Sequence, residues 1–204
     1  MTIEETLTPR EAAYVLDEQL KSITKLLDAH AEKGQVVKSG GVSVRQLSKP
    51  ELLFFLALRD VGETLTPKGR SVLFTELQTN MTNHLVKLGP LNLDLRKYER
   101  DLDQRMARYQ LLKDSVESAD GEEDPLIART TVEVYRISTL LDAGMSADEV
   151  LKDYPSLTRE QIEAARAYAA AKPKHGRPYP KTTFKSALRR LKFDFPEEPE
   201  KAPG

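Results

Sequence analysis

Residues 135–172 read YRISTLLDAGMSADEVLKDYPSLTREQIEAARAYAAAK. Three short helices and their stop signals are written into this stretch. YRISTLLDAG reads as a helix that stops at Gly144, a residue suited to the left-handed backbone that closes a helix. Ser146 and Glu149 then stand three apart. At that spacing a hydroxyl and a carboxylate satisfy the N–H groups that a helix start leaves unpaired. Pro155 ends the second helix, because the residue before a proline is pushed out of the helical region. Thr158 and Gln161 repeat the start signal, and Ile162, Ala165 and Ala169 share one face of the third helix. Three short helices with tight turns predict a helix-turn-helix-like domain.

The same start signal occurs twice upstream, at Thr8/Glu11 and Ser48/Glu51. Residues 8–16 and 18–30 read as helices. Val36-Val37 and Val42/Val44 then flank Lys38-Ser39-Gly40-Gly41, a hairpin signal. Two further helices follow in KPELLFFLALRDVG and TPKGRSVLFTELQTNM, with Phe54 and Phe55 as core. Helices, hairpin, then helices predict a winged helix-turn-helix domain over residues 1–86. Residues 87–122 read as a connection. Leu91, Leu93 and Leu95 alternate with polar residues as in a strand. Residues 96–115 place Leu102, Met106, Tyr109 and Leu112 near the helical period, a stripe that either pairs two copies or closes the first core. The acidic ESADGEED reads as a linker. The strand ARTTVEV opens a helix-turn-helix-like domain over residues 123–171, and an extended basic tail and end occupy 172–204. The fold class expected is thus mainly α with short strands.

Composition excludes several chemistries. The chain has no Cys, so there is no disulfide, thiolate metal site or thiol nucleophile. His30, His84 and His175 are too scattered for metal-ligand spacing, and no metal or cofactor is expected. No Ser/His/Asp set or phosphate-binding loop stands out, which argues against an enzyme. The N-terminus is acidic without an apolar run, and no stretch approaches the roughly 18 residues of a membrane span. The reading is a cytoplasmic protein without membrane contact.

The charge is unevenly placed. Basic and acidic residues nearly balance, 31 against 32, yet residues 172–193, KPKHGRPYPKTTFKSALRRLKF, contain no carboxylate. Pro173, Pro178 and Pro180 favour an extended approach. Thr182 or Thr183 can cap a last helix, on which Phe184, Leu188 and Leu191 form one apolar stripe. Such a segment reads as a solvated helix, as an arm for nucleic-acid phosphates, or as a docking element. The absence of carboxylates argues against the first, since solvated helices mix signs to gain pairs one turn apart.

The run from Arg136 to Pro178 resembles the bacterial domain of unknown function 433. Gly144-Met145-Ser146, Asp148-Glu149-Val150, Asp153-Tyr154-Pro155, Leu157-Thr158 and Ala164-Ala165 with Tyr168-Ala169 carry the resemblance, over roughly residues 123–178. One departure stands out. The family pattern R-G-T-R-[IV]-P-V faces Ala128-Arg129-Thr130-Thr131-Val132-Glu133-Val134 here, so its Gly and Pro are missing. The whole chain is also similar to longer VapB-type antitoxins that join a winged, MerR-like module to this domain, with residues 7–60 fitting that module by layout.

That resemblance implies an antitoxin that inhibits a VapC-like PIN-domain ribonuclease toxin and binds operator DNA, as a homodimer or larger toxin–antitoxin assembly. The toxin-binding residues it suggests are Arg177, Phe184, Lys185, Leu188, Arg189, Arg190 and Leu191. An Arg fork suits the metal-holding carboxylates of such a ribonuclease. The DNA-binding candidates are Lys21, Ser22, Thr24 and Lys25 on the second helix, with Lys38 and Arg45 on the wing. The alternatives are a DNA-binding regulator without a toxin partner and an assembly protein whose helices only mediate oligomers.

Overall fold

The computed structural model describes residues 6–29, 35–39, 42–79, 84–89, 91–117, 124–174 and 176–190. The chain divides into two compact units. One is Met1–Lys113 with Ala170–Lys172; the other is Asp114–Ala169 with Pro173–Gly204. Both are mainly helical, and their strands form short antiparallel pairs. Among the described residues no helix is long and apolar enough to cross a membrane.

In the first unit, α1 (Pro9–Leu16) and α2 (Leu20–Ala29) pack on one another. Thr8 caps α1: its hydroxyl accepts from the Glu11 N–H, and Glu11 accepts from the Thr8 N–H at 2.8 Å. Asp17 turns the chain between the two helices with a positive φ of 55°. The strands β1 (Gln35–Ser39) and β2 (Val42–Gln46) pair antiparallel. Leu7 and Leu47 then exchange backbone hydrogen bonds of 2.9 and 2.7 Å, closing the start of the unit onto the end of β2.

Helix α3 (Lys49–Val61) is the centre of this unit. Every residue from Pro50 to Ala57 is buried, so the helix is enclosed on all sides rather than along one stripe. It packs against α1 and α4 (Pro67–Thr79), and Phe54 meets Phe74 edge-on at 5.0 Å between centroids. Burying one such ring contributes about 1.5–3 kcal/mol. The predicted core role of Phe54 and Phe55 is what the packing shows.

The single strand predicted at residues 91–95 is one arm of a hairpin. β3 (Leu85–Leu88) pairs with β4 (Leu91–Asp94), and Gly89 takes a φ of 65° at the turn. Helix α5 (Arg96–Asp114) follows. Of its predicted stripe, Leu102, Tyr109 and Leu112 are buried with Tyr98 and Met106 is half-buried, so it closes the core of the unit. Arg105 also donates to the Val15 carbonyl at 3.2 Å.

The second unit opens with a two-residue pair, β5 (Val116–Glu117) and β6 (Leu126–Ile127). Of the predicted strand 128–134, only Glu133 is ladder-like, in an isolated bridge to Leu126; residues 128–131 form a turn. The three predicted helices are α6 (Val134–Asp142), α7 (Ala147–Asp153) and α8 (Arg159–Ala171). Gly144 has the positive φ, 93°, that the stop signal called for. Both start signals are formed. Ser146 and Glu149 bond reciprocally at 2.8 and 3.3 Å, and Thr158 and Gln161 at 2.9 and 3.2 Å. Val134, Ile137, Leu140, Val150, Ile162 and Ala165 build the core. Residues 173–174 and 176–183, which belong to no helix or strand, lead as a strap into α9 (Phe184–Arg190).

Candidate functional site

The strap is tied to the second unit at three places. Near its start, Lys174 pairs with Asp124, and its ammonium lies 4.9 Å from the Tyr179 ring centroid and 5.6 Å from that of Tyr135. Tyr179 donates its hydroxyl to the same carboxylate at 2.7 Å. Burial works against ionising Asp124, but the bonds from Lys174 and Tyr179 and the lysine charge outweigh it. Its pKa is held below the ordinary carboxylate value. Tyr179 shifts upward, from burial first and then from the hydrogen bond to Asp124.

Arg136 on α6 makes the second tie. Its guanidinium donates to the Pro180 carbonyl at 2.6 Å and the Thr182 carbonyl at 2.9 Å, and its Nε reaches the Tyr154 hydroxyl at 3.3 Å. A strap outside helix and strand leaves such carbonyls without partners of its own, and a planar fork can serve two at once.

Thr183 makes the third. It is buried, 5% exposed, and donates its hydroxyl to Asp153 at the end of α7. The same oxygen accepts the Ser186 N–H at 2.9 Å, so Thr183 is the cap of α9. Asp153 thus fixes where α9 begins.

The next residue behaves in the opposite way. Phe184 is 79% exposed. Lys185 is exposed and Leu188, one turn on, is half-buried. Arg177 and Lys181 are exposed and have no carboxylate partner among the described residues. Leu191 lies outside the described residues, as do the side chains of Arg189 and Arg190. The sequence reading did not single out the residues that hold the strap: Asp124, Arg136 and Tyr179. Lys174, Tyr179, Pro180, Thr182 and Thr183 bind the segment to the unit. Lys174 belongs to the attachment rather than to any exposed basic face. The cleft of about 580 Å³ beside α9 is polar, with Asp142, Glu149, Lys181, Thr182 and Ser186 in its wall.

Residues 123–169 match the family described as Protein of unknown function (DUF433). The DUF433 region therefore covers α6 and α7 and all but the end of α8, and it supplies Asp124, Arg136 and Asp153 to the strap. The strap and α9 lie beyond the matched residues. Over 195 residues the chain is also 27% identical to an uncharacterized protein, y4eO, of Sinorhizobium fredii (strain NBRC 101917 / NGR234), covering 86% of this chain and 85% of that protein. The likeness thus extends well outside the DUF433 region. No solved structure matches the chain.

The DNA-binding candidates lie on the first unit. Lys21, Ser22 and Lys25 are exposed on α2. Thr24 is half-buried, and its hydroxyl donates to the Leu20 carbonyl at 3.0 Å, a bond internal to the helix. Arg45 is paired with Asp28 at 2.7 Å. The Lys38 side chain lies outside the described residues.

Proposed function

We propose that the chain works by binding, as an antitoxin that holds a VapC-like PIN-domain ribonuclease through α9 and its approach and represses its own operon. The observation that carries this reading is the contrast between neighbours. Thr183 is buried and anchored, and Phe184 beside it is 79% exposed. An aromatic side chain left in water at the first turn of a firmly capped helix has the form of an interface anchor. Arg177, Lys181 and Lys185 are exposed in the same segment, which contains no carboxylate. The partner such a surface fits is a protein with an apolar groove beside an acid cluster, and the metal-holding carboxylates of a PIN-domain ribonuclease are of that kind.

The test is whether the product of the neighbouring open reading frame is a ribonuclease that this chain inhibits, with co-purification as the second readout. Removing everything after Ala171 is a poor variant, because it strips Thr183 from Asp153 and the strap from Arg136. Phe184→Asp leaves those attachments in place. It should weaken inhibition by 30-fold or more, the size of a lost aromatic anchor of about 2 kcal/mol. Full inhibition by Phe184→Asp together with Lys181→Glu and Lys185→Glu would sink the reading.

The second reading is a DNA-binding regulator without a toxin partner. The exposed Lys21, Ser22 and Lys25 on one side of α2 favour it.

A further inference from the structure

We infer that the second unit is a mount that sets the pose of α9 in the free protein. Arg136 and Asp153, outside the basic segment, are then positioning residues for whatever α9 binds. The binding half of this inference rests on the function proposed above; the mounting half does not.

Seven residues of helix are far too few to persist alone, since nucleation costs more than so short a run returns. Residues 184–190 contain little that would change this. The helix exists because its first turn is built from outside. Thr183 supplies the side-chain cap to Ser186 and the carbonyl that receives Ala187 N–H at 2.9 Å. Thr183 is itself fixed by Asp153. The backbone entering the cap is fixed by Arg136, which grips the carbonyls of Pro180 and Thr182. Lys174 and Tyr179 on Asp124 fix the strap before that. Each tie uses a DUF433-region residue and leaves Phe184 outward. An element ordered beforehand binds without the conformational cost that a folding tail meets on binding.

Hydrogen exchange read by mass spectrometry tests this on the full chain, with a synthetic peptide of residues 172–204 as the unmounted reference. The amides of 184–190 should exchange at least ten-fold more slowly in the chain than in the peptide. Arg136→Ala and Thr183→Val should remove most of that protection while α8 amides, the internal control for folding, keep theirs. Thr183→Ser retains the hydroxyl and should restore it, and Asp153→Asn, which keeps an acceptor, should cost less than Asp153→Ala. Affinity for the product of the neighbouring open reading frame should fall in step with protection. Peptide-like exchange of α9 in the unmodified chain overturns the mount, and that comparison needs no variant. Loss of protection with unchanged affinity overturns the positioning role. If the unmodified chain binds no ribonuclease, the proposed function fails, and the exchange pattern alone decides the mount: ten-fold protection upholds it and peptide-like exchange removes it.

Discussion

Tyr109 on α5 donates its hydroxyl to Glu11 Oε1 on α1 at 2.7 Å, joining residues 98 positions apart. The other carboxylate oxygen accepts from Thr8 N–H, and Lys172 lies 3.1 Å from Oε1. Burial disfavours the ionised Glu11. The Thr8 backbone bond, the Tyr109 hydroxyl, the Thr8 side chain and the Lys172 charge outweigh that cost, so its pKa lies below the usual value. One carboxylate therefore starts a helix and also ties that helix to another.

Removing the hydroxyl tests how much the tie contributes. Tyr109→Phe should destabilise the chain by about 1–2 kcal/mol, because a bond to a buried charge is lost while Lys172 still faces the same oxygen. In a double-mutant cycle by urea unfolding, Glu11→Ala should cost at least about 0.5 kcal/mol less in the Tyr109→Phe background. Additive losses would mean that Glu11 acts only as a cap.

Arg129 has a φ of 64°, a conformation costly for any residue with a Cβ. It sits where the DUF433-like pattern has Gly. Its N–H bonds Glu117 at 2.9 Å, a contact any residue keeps. Arg129→Gly should therefore stabilise the second unit, by about 0.5–1 kcal/mol after the added freedom of the unfolded glycine is subtracted. Arg129→Ala, which retains the Cβ, should change stability by less than about 0.5 kcal/mol. A destabilised glycine variant would show that the guanidinium makes a contact worth more than the strain.

Helix starts were legible because they are local. The hydroxyl and its partner lie three residues apart, and each of the four such pairs marks a helix N-terminus. The hairpin at 85–94 was half legible. Leu-Gly-Pro-Leu at 88–91 is a turn signal between two short apolar runs, and reading the alternation only after it hid the first arm. The attachment of the strap was not legible. Arg136 meets carbonyls 44 and 46 residues away, and Asp153 meets a hydroxyl 30 residues away. Neither periodicity nor spacing encodes those meetings. Pro-rich and basic composition says that a segment is extended and charged, but not that a domain holds it.

Tyr135 supplies a pH test of the same region. Burial, reinforced by Tyr168 and Asp124, pushes its hydroxyl up to about 12 from an ordinary value near 10. A raised pKa means that the folded state keeps the proton longer. The contribution is fully present below pH 10 and is lost as pH rises toward about 12. Stability measured across that window should fall less steeply for Tyr135→Phe than for the unmodified chain. Equal slopes would mean that Tyr135 ionises as freely folded as unfolded.

The DNA reading makes a separate quantitative demand, on α2. Lys21 and Lys25 are one turn apart and exposed, whereas Arg45 is committed to Asp28. If α2 lies against the phosphates, each lysine releases about one counterion, and log affinity falls by roughly 0.9 per phosphate for each tenfold rise in salt. Binding to a duplex from upstream of the gene should therefore lose about two units of salt slope in the Lys21→Ala/Lys25→Ala variant, and less in Arg45→Ala. Ser22→Ala should leave the slope alone and alter only preference among sequences, since a hydroxyl contacting a base edge carries no counterion. An unchanged slope in the double variant would remove α2 from the interface. If Phe184→Asp instead lowered DNA affinity while the lysine variant did not, the mounted helix would be the DNA element. The regulator without a toxin partner would then become the better account of the chain.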